Sequence, residues 1–405
     1  MQQPLGVEGS QTAPVSAKVA FDLTGLTVVY LVTEDWYFAS HRLPIARAAK
    51  AAGARIVVAT RCRAIEKRLS EEGFKVYPVE FKRASLNLLH DLRTVRRICK
   101  IYRLERPDIV HHVAIKPVLL GSIAAKICGV PFVINAMAGL GYIFTQSTLR
   151  ARVLKAFVGA GFKLIARQKG MHFLVQNLDD RETLGALGVD EEKISIIRGS
   201  GVDTTMFQPN FRKRRKEVTC LYVGRLLWDK GIGELVEAAR ILKQTHPHIT
   251  IRLVGSYDDN PASLSKHQLE QWIDEGLIDY RGHSDAVAGE FATADMAVLP
   301  SYREGLPKAL LEAAACGLPL VATDVPGCRE ICVDGKNGLL VPPKNADAIA
   351  AAIACLAHDA DIRSHMGKES RRLVTAHFSN IIIARQTLSL YSELLNQSHT
   401  CGRAQ

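Results

Sequence analysis

Residues Met296–Gly317 read MAVLPSYREGLPKALLEAAACG. Met296–Leu299 is a short apolar run of the kind that fills a buried strand. A polar loop follows, and Pro307 suits the first helical position, where its missing N–H is not needed. From Lys308 the residues Ala, Leu, Leu, Glu, Ala, Ala and Ala are strong helix formers, and Gly317 is a natural C-terminal stop. Strand, loop and helix make one step of an alternating α/β sheet. Glu304 falls in the loop and Glu312 in the second turn of the helix. The unpaired amides that begin the helix point toward the Glu304 loop, so the turn suits a hydroxyl-rich or anionic ligand. Two such glutamates alone are more often a solvated helix face. Their surroundings decide.

The alternation continues on both sides. In the second half it runs through Val218–Val223, a helix over Gly231–Lys243, Thr250–Val254, Leu277–Tyr280, a helix near Ala286–Ala294, Pro319–Thr323 and the turn Val325–Gly327. The first half opens with the strand Leu26–Thr33, a loop over Glu34–Ser40 and a helix carrying Arg42 to Ala52. Strands then follow at Arg55–Thr60, Val76–Pro78, Asp108–His112, Pro131–Ala136, Met171–Val175 and Ile194–Ile197. Helices over Asn87–Leu104, Val118–Cys128 and Asp180–Leu187 separate several of them. The expected fold class is α/β, with two doubly wound, Rossmann-like units. At 405 residues the chain exceeds one ordinary core. We divide it into a loose tail 1–23, an N-terminal domain 24–208, a C-terminal domain 209–378, and a last segment 379–405 whose helix crosses back to the first half. The basic stretch NFRKRRK, 210–216, reads as the linker.

Composition is that of a globular protein, 47% hydrophobic and 23% charged. Nine cysteines without a CxxC pair point to reduced thiols and no zinc site. Residues 1–20 lack the basic start and apolar run of a signal peptide, and no apolar run reaches the ~18 residues of a membrane span. The net charge of +11 is uneven: Glu80–Arg106 holds eight basic residues against three acidic. No helix-turn-helix, zinc spacing or RNP pattern accompanies it, so nucleic acid is not an expected partner. Anionic lipid or phosphorylated small molecules fit better, beside the plain alternative of a solvated face. Residues 147–170 read as a basic amphipathic helix, in which Arg150, Arg152, Lys155, Lys163 and Arg167 alternate with apolar residues. Such a helix suits an anionic membrane surface; otherwise its apolar side packs on the sheet.

The chemistry gathers where strands end. Val218–Val223 runs into Gly224-Arg225, and after LLWD comes Lys230-Gly231 and a helix. Glycine lets a ligand approach the backbone, and Arg225 and Lys230 supply two cations of different geometry for a diphosphate. In open α/β sheets ligands bind beyond the carboxyl ends of strands. Gly224, Gly255-Ser256, Pro300-Ser301 and Asp324–Gly327 should therefore line one edge, with Glu304 and Glu312. Cations for a diphosphate beside carboxylates for hydroxyls describe a nucleotide-sugar pocket. His111, His112 and Lys116, expected just past an N-terminal strand, are candidates for acceptor or phosphate contacts, as are Trp36 and His41.

VGRLLWDKG, PSYREGLPKALLEAAACGLPLVATDVPGCREI and NGLLVPP resemble the donor-binding domain of the retaining glycosyltransferases of family 4, which have the two-domain GT-B fold. FASHRLPIARAAKAAG, RPDIVHHVAIKPVLLGSIAAKICGVP and NAMAGLGYIF resemble the branch that builds lipid-linked surface polysaccharides. The resemblance covers about residues 24–395. It implies a UDP-sugar donor and a polyprenyl-diphosphate-linked saccharide acceptor at the inner face of the cytoplasmic membrane. By the same resemblance Arg225 and Lys230 hold the diphosphate, and Glu304 contacts the transferred sugar. Gly305 and Leu306 offer backbone N–H groups, and Glu312 binds the ribose. Gly224, Gly255 and His283 complete the expected donor site, and Glu304, Arg225, Lys230 and His111 the expected catalytic set. The family's glycine-rich first loop reads EDWYFAS here, without glycine. No Asp-x-Asp pair is placed to hold a divalent ion between phosphates, so neither metal nor cofactor is expected. A soluble transferase with a small acceptor, and a non-catalytic nucleotide-sugar-binding protein, are the alternative readings.

Overall fold

The computed structural model describes residues 21–63, 65–81, 88–137, 149–210, 216–258 and 262–401. Most of the tail and part of the 210–216 linker lie outside them. Two parallel sheets are built. The first comprises β1 (Thr27–Glu34), β2 (Arg55–Arg61), β3 (Lys75–Pro78), β4 (Ile109–Val113), β5 (Phe132–Ala136), β6 (Met171–Val175) and β7 (Ile194–Ile196), in the order β3-β2-β1-β4-β5-β6-β7. The second comprises β8 (Val218–Val223), β9 (Ile249–Val254), β10 (Asp279–Tyr280), β11 (Met296–Leu299), β12 (Leu320–Thr323) and β13 (Gly338–Val341), in the order β10-β9-β8-β11-β12-β13. Both orders reverse beside their first strand, at β1/β4 and at β8/β11. Such a reversal leaves a crevice past the strand ends, because the flanking helices diverge to opposite faces.

The central strands read as apolar runs because helices cover both of their faces. Val28 to Val32 of β1 and Cys220 to Tyr222 of β8 are buried throughout. In the first domain lie α1 (Asp35–His41), α2 (Leu43–Ala51), α3 (Glu66–Glu71), α4 (Leu88–Glu105), α5 (Ile115–Cys128), α6 (Leu149–Ala166) and α7 (Leu178–Ala186). In the second lie α8 (Ile232–Thr245), α9 (Lys266–Asp274), α10 (Val287–Phe291), α11 (Lys308–Ala315), α12 (Ala346–His358) and α13 (Ala360–His377). The last helix, α14 (Asn380–Cys401), sends Ile383, Leu388, Tyr391 and Leu394 into the same core as Val28, Tyr30, Leu43 and Ile109 of the first domain. The chain thus crosses between domains twice, and the crossings are tied together. Val202 N donates to Phe378 O, and Asn380 N donates to Val202 O, each at 2.9 Å.

Two expectations need correcting. Glu34–Ser40 is not a loop: its residues extend β1 and form α1. Phe38 is fully buried and lies edge-on to Tyr30 at 5.5 Å, so tertiary packing overrides the weak helix propensity of the aromatic run. Pro307 is the N-cap of α11 and not its first residue, with φ −72° and ψ 116°. Helices α9, α12 and α13 were not anticipated. Each has a legible start, because Ser265, Asn345 and Asp359 accept backbone N–H bonds at the caps.

Candidate active site

The two crevices face each other across a cavity of ≈ 520 Å³. Trp36, Tyr37 and His41, just past β1, form one wall with Gln176, Gly199 and Ser200. Gly224, Arg225, Lys230 and the segment Glu304–Ala309 form the other, with Glu312 behind.

On the C-terminal wall, Tyr222 Oη donates to Arg225 O at 2.8 Å, which fixes the turn leaving β8. The Arg225 guanidinium reaches Asp258 at 2.9 Å and is half exposed. Lys230 ends a 3-10 turn, Trp228–Lys230. Its Nζ donates to Glu304 Oε1 at 2.6 Å, and Ser301 Oγ donates to the same oxygen at 2.7 Å. Glu304 is thus oriented from two sides. The loop behind it has no spare room: Gly327 has φ +78°, and a Cβ there would lie 2.4 Å from Gly305 O. Only glycine combines that left-handed backbone with so close an approach.

The domains are tied at this loop. Asn177 Nδ2 donates to Gly305 O at 2.9 Å, and Lys308 Nζ donates to Ser40 O at 3.0 Å. Lys308 also lies 3.4 Å from Glu312 on the next turn of α11. Burial pushes the Glu312 carboxyl up, and the Lys308 charge only partly opposes this. Across the cavity the His41 ring stacks on Tyr37, centroids 4.0 Å apart, and its Nδ1 lies 2.5 Å from Ser40 Oγ. Burial, with the charges of Lys308 and Arg42, pushes this imidazole down to about 3, so it is neutral at physiological pH.

Gly224, Arg225, Lys230, Glu304, Gly305, Leu306, Glu312, Trp36 and His41 therefore share one cavity. Other expected residues do not. His111 and His112 lie inside β4 and not past its end, both fully buried. His111 Nδ1 meets Tyr391 Oη at 2.7 Å, whereas His112 lies between Tyr102 Oη at 2.8 Å and Asn135 Oδ1 at 2.9 Å. They are core histidines, because parallel pairing on both sides extends β4 through Val113. Lys116 pairs with Asp91 at 3.1 Å, away from the cavity lining. Gly255 serves backbone packing: a Cβ there would lie 1.8 Å from Gly224 O. His283 is exposed beside Asp285 at 3.3 Å, outside the lining. Sequence reasoning missed Tyr37, Ser40, Gln176, Asn177, Ser200 and Lys308, whereas Ser301 was expected at this edge and orients Glu304 there. Position after a strand was the available signal for Gln176.

Helix α6 has Val158, Phe162 and Ile165 in the core, while Lys163, Leu164 and Arg167 are exposed. The side chains of Arg150, Arg152 and Lys155 lie outside the described residues. Among the described residues no helix is long and apolar enough to cross a membrane.

Residues 203–373 match the family described as glycosyl transferases group 1, and residues 27–168 match glycosyl transferase 4-like. A D-inositol 3-phosphate glycosyltransferase of Pseudarthrobacter chlorophenolicus is 30% identical over 300 residues, 69% of this chain and 70% of the relative. The chain belongs to the group 1 glycosyl transferases. The N,N'-diacetylbacillosaminyl-diphospho-undecaprenol alpha-1,3-N-acetylgalactosaminyltransferase of Campylobacter jejuni is 29% identical to this glycosyltransferase over 366 residues, 87% of the chain and 95% of the relative. The Anabaena protein Alr3699/HepE, solved in complex with UDP, superposes with a TM-score of 0.73 at 17% identity. That match covers 91% of this glycosyltransferase and all of the Anabaena chain, and it shows the shared GT-B fold of two facing Rossmann-like domains.

Proposed function

We propose that this glycosyltransferase moves a hexose or N-acetylhexosamine from a UDP-sugar to a polyprenyl-diphosphate-linked saccharide in surface polysaccharide synthesis. The transfer retains the anomeric configuration and needs neither metal nor cofactor. The observation that carries this reading is the Lys230–Glu304 contact of 2.6 Å at the mouth of β8 and β11, with Arg225 in the same cavity. The C. jejuni relative, named for a diphospho-undecaprenol acceptor, supports the acceptor class.

The reaction breaks the bond between the sugar's anomeric carbon and the diphosphate oxygen. Its electron pair leaves with the diphosphate while the acceptor hydroxyl oxygen bonds to that carbon, and the hydroxyl proton passes to the departing diphosphate oxygen. Arg225 and Lys230 meet the negative charge that develops on the leaving group, and fixed cations in a cleft favour such a transition state. Glu304 holds Lys230 and accepts bonds from hydroxyls of the transferred sugar. Glu312 accepts from the ribose. Closure of the two walls excludes water, so the acceptor reacts in preference to hydrolysis. The enzyme works at the inner face of the cytoplasmic membrane, with the basic end of α6 toward anionic lipid and no nucleic-acid partner.

The test incubates the protein with UDP-sugars, with and without lipid-linked acceptor and with EDTA in parallel, and follows UDP release and product anomer. Acceptor-dependent release that survives EDTA and gives the donor's anomer is the expected outcome. Unchanged transfer by Glu304→Ala would remove the site assignment. A small phosphorylated acceptor is the second reading, favoured by the relative named for D-inositol 3-phosphate. Transfer to such a compound in place of the lipid would establish it.

A further inference from the structure

Arg42 stands at the corner between α1 and α2, only 2% exposed. Among the described residues no carboxylate pairs with its guanidinium, and its Nε has no acceptor. The nearby acids in sequence are engaged elsewhere: Glu34 pairs with Arg61, and Asp35 accepts from the backbone of Arg63 and Ile65. A guanidinium stays charged at any accessible pH, and burying it without a counter-charge is costly. A fold that holds such a group is storing positive potential. That charge is felt in the core by Tyr30, His111 and Tyr391, and at the cavity wall by Tyr37 and His41. Arg42 adjoins His41, which with Tyr37 lines the cavity, and Lys308 reaches the same wall from the opposite domain through Ser40 O. Glu312, which lines the same cavity, is the one carboxylate paired there among the described residues, 3.4 Å from Lys308.

The donor diphosphate is already answered by Arg225 and Lys230 in the other domain. A second positive wall calls for a second anion. We propose that His41 and Lys308, backed by the buried charge of Arg42, form a phosphate subsite for the acceptor on the N-terminal wall. The inference rests on the phosphate-bearing acceptor of the functional reading. His41 and Lys308 touch the phosphate, and Arg42 is a positioning residue that acts by its field, which is strong at short range in a dry interior. Burial first, and then the charges of Lys308 and Arg42, depress the basicity of His41, so it meets the phosphate as a neutral hydrogen-bond partner.

The protein is first saturated with UDP, which occupies the donor site, and is then titrated calorimetrically with inorganic pyrophosphate. Binding to wild type is expected, weakened about tenfold or more in Arg42→Met, the scale of removing one charge's attraction at short range in a partly desolvated site. Failure of UDP itself to bind would count against the donor reading. UDP binding without pyrophosphate binding would overturn the subsite alone. Transfer is then compared on one saccharide carried as a lipid diphosphate, as a 1-phosphate and as a phosphate-free glycoside. Loss by Arg42→Met on the lipid diphosphate alone places that group in the subsite, and loss on the 1-phosphate as well places a simple phosphate there. Equal loss on all three would overturn the proposal. Thermal unfolding separates function from structure, because removing an unpaired buried charge should leave the melting temperature unchanged or higher. A clear fall, with acceptor selectivity unchanged in a parallel Lys308→Met variant, would also overturn it.

Discussion

Lys230 Nζ lies 2.6 Å from Glu304 Oε1, with the two side chains 18% and 13% exposed. A partly desolvated pair of this kind sets position more than stability. Glu304→Ala removes the group that aims the lysine, so kcat should fall by about 10²–10³-fold, the usual scale for a lost transition-state contact. Initial rates of acceptor-dependent UDP release measure it, and wild-type kcat in Glu304→Ala would contradict the assignment.

Gly327 holds the Glu304 loop from behind, at φ +78° and with Gly305 O in the way of any Cβ. Gly327→Ala should cost about 1–2 kcal/mol for the left-handed backbone alone and displace Gly305, whose carbonyl Asn177 holds. A lower melting temperature together with a raised donor KM is the expected pair of changes. A variant with native donor KM would show that the loop tolerates the shift.

Arg225 is about half exposed in its pair with Asp258, and exposed pairs contribute about 0–1 kcal/mol to stability. Arg225→Lys should therefore leave thermal unfolding unchanged. It should raise the donor KM about tenfold, because a point charge replaces a two-pronged donor. Isothermal titration with UDP reads this directly.

Acid should destabilise the fold before the carboxylates titrate. Burial pushes His112 and His172 down to about 4, against the ordinary 6.5. The unfolded chain therefore binds more protons than the folded one between those values, and stability rises with pH. These histidines contribute fully above pH 6.5, and the contribution is lost as pH falls toward 4. Each accounts for at most about 1.4 kcal/mol per pH unit. His172→Gln should flatten the dependence of melting temperature on pH across that window. An unaltered slope would show that His172 titrates normally.

Lys163 and Arg167 remain exposed beside Leu164, which is 61% exposed. Reversing both charges should weaken binding to anionic vesicles by about 1 kcal/mol or more per residue. Sedimentation with phosphatidylglycerol vesicles tests it, and undiminished binding would remove this end of α6 from the membrane surface.

Much of the scaffold was legible because its signals are local. Met171–Val175, Val218–Val223 and Met296–Leu299 coincide with observed strands, since a buried parallel strand must be apolar along its whole length. The C-terminal wall of the cavity was legible for a similar reason. Gly224-Arg225, Lys230 and Glu304 each follow a strand end within a few residues, so strand positions carry site positions with them. His111 and His112 misled because they stand near the end of a strand whose pairing runs on to Val113. The neighbours in β1 and β5, not the sequence of β4, set where pairing stops.

The amino-acid sequence by itself determined two α/β domains and the cations and carboxylates that gather on the C-terminal wall of the cavity, since periodicity and turn chemistry act over a few residues. Tertiary structure alone decided what meets across the gap. Lys308 reaches Ser40, Asn177 holds Gly305, and Arg42 sits beside His41 without a counter-charge among the described residues. Those relationships join residues more than a hundred positions apart or depend on what is missing around a buried group. Packing and desolvation create them only when the two domains are brought together.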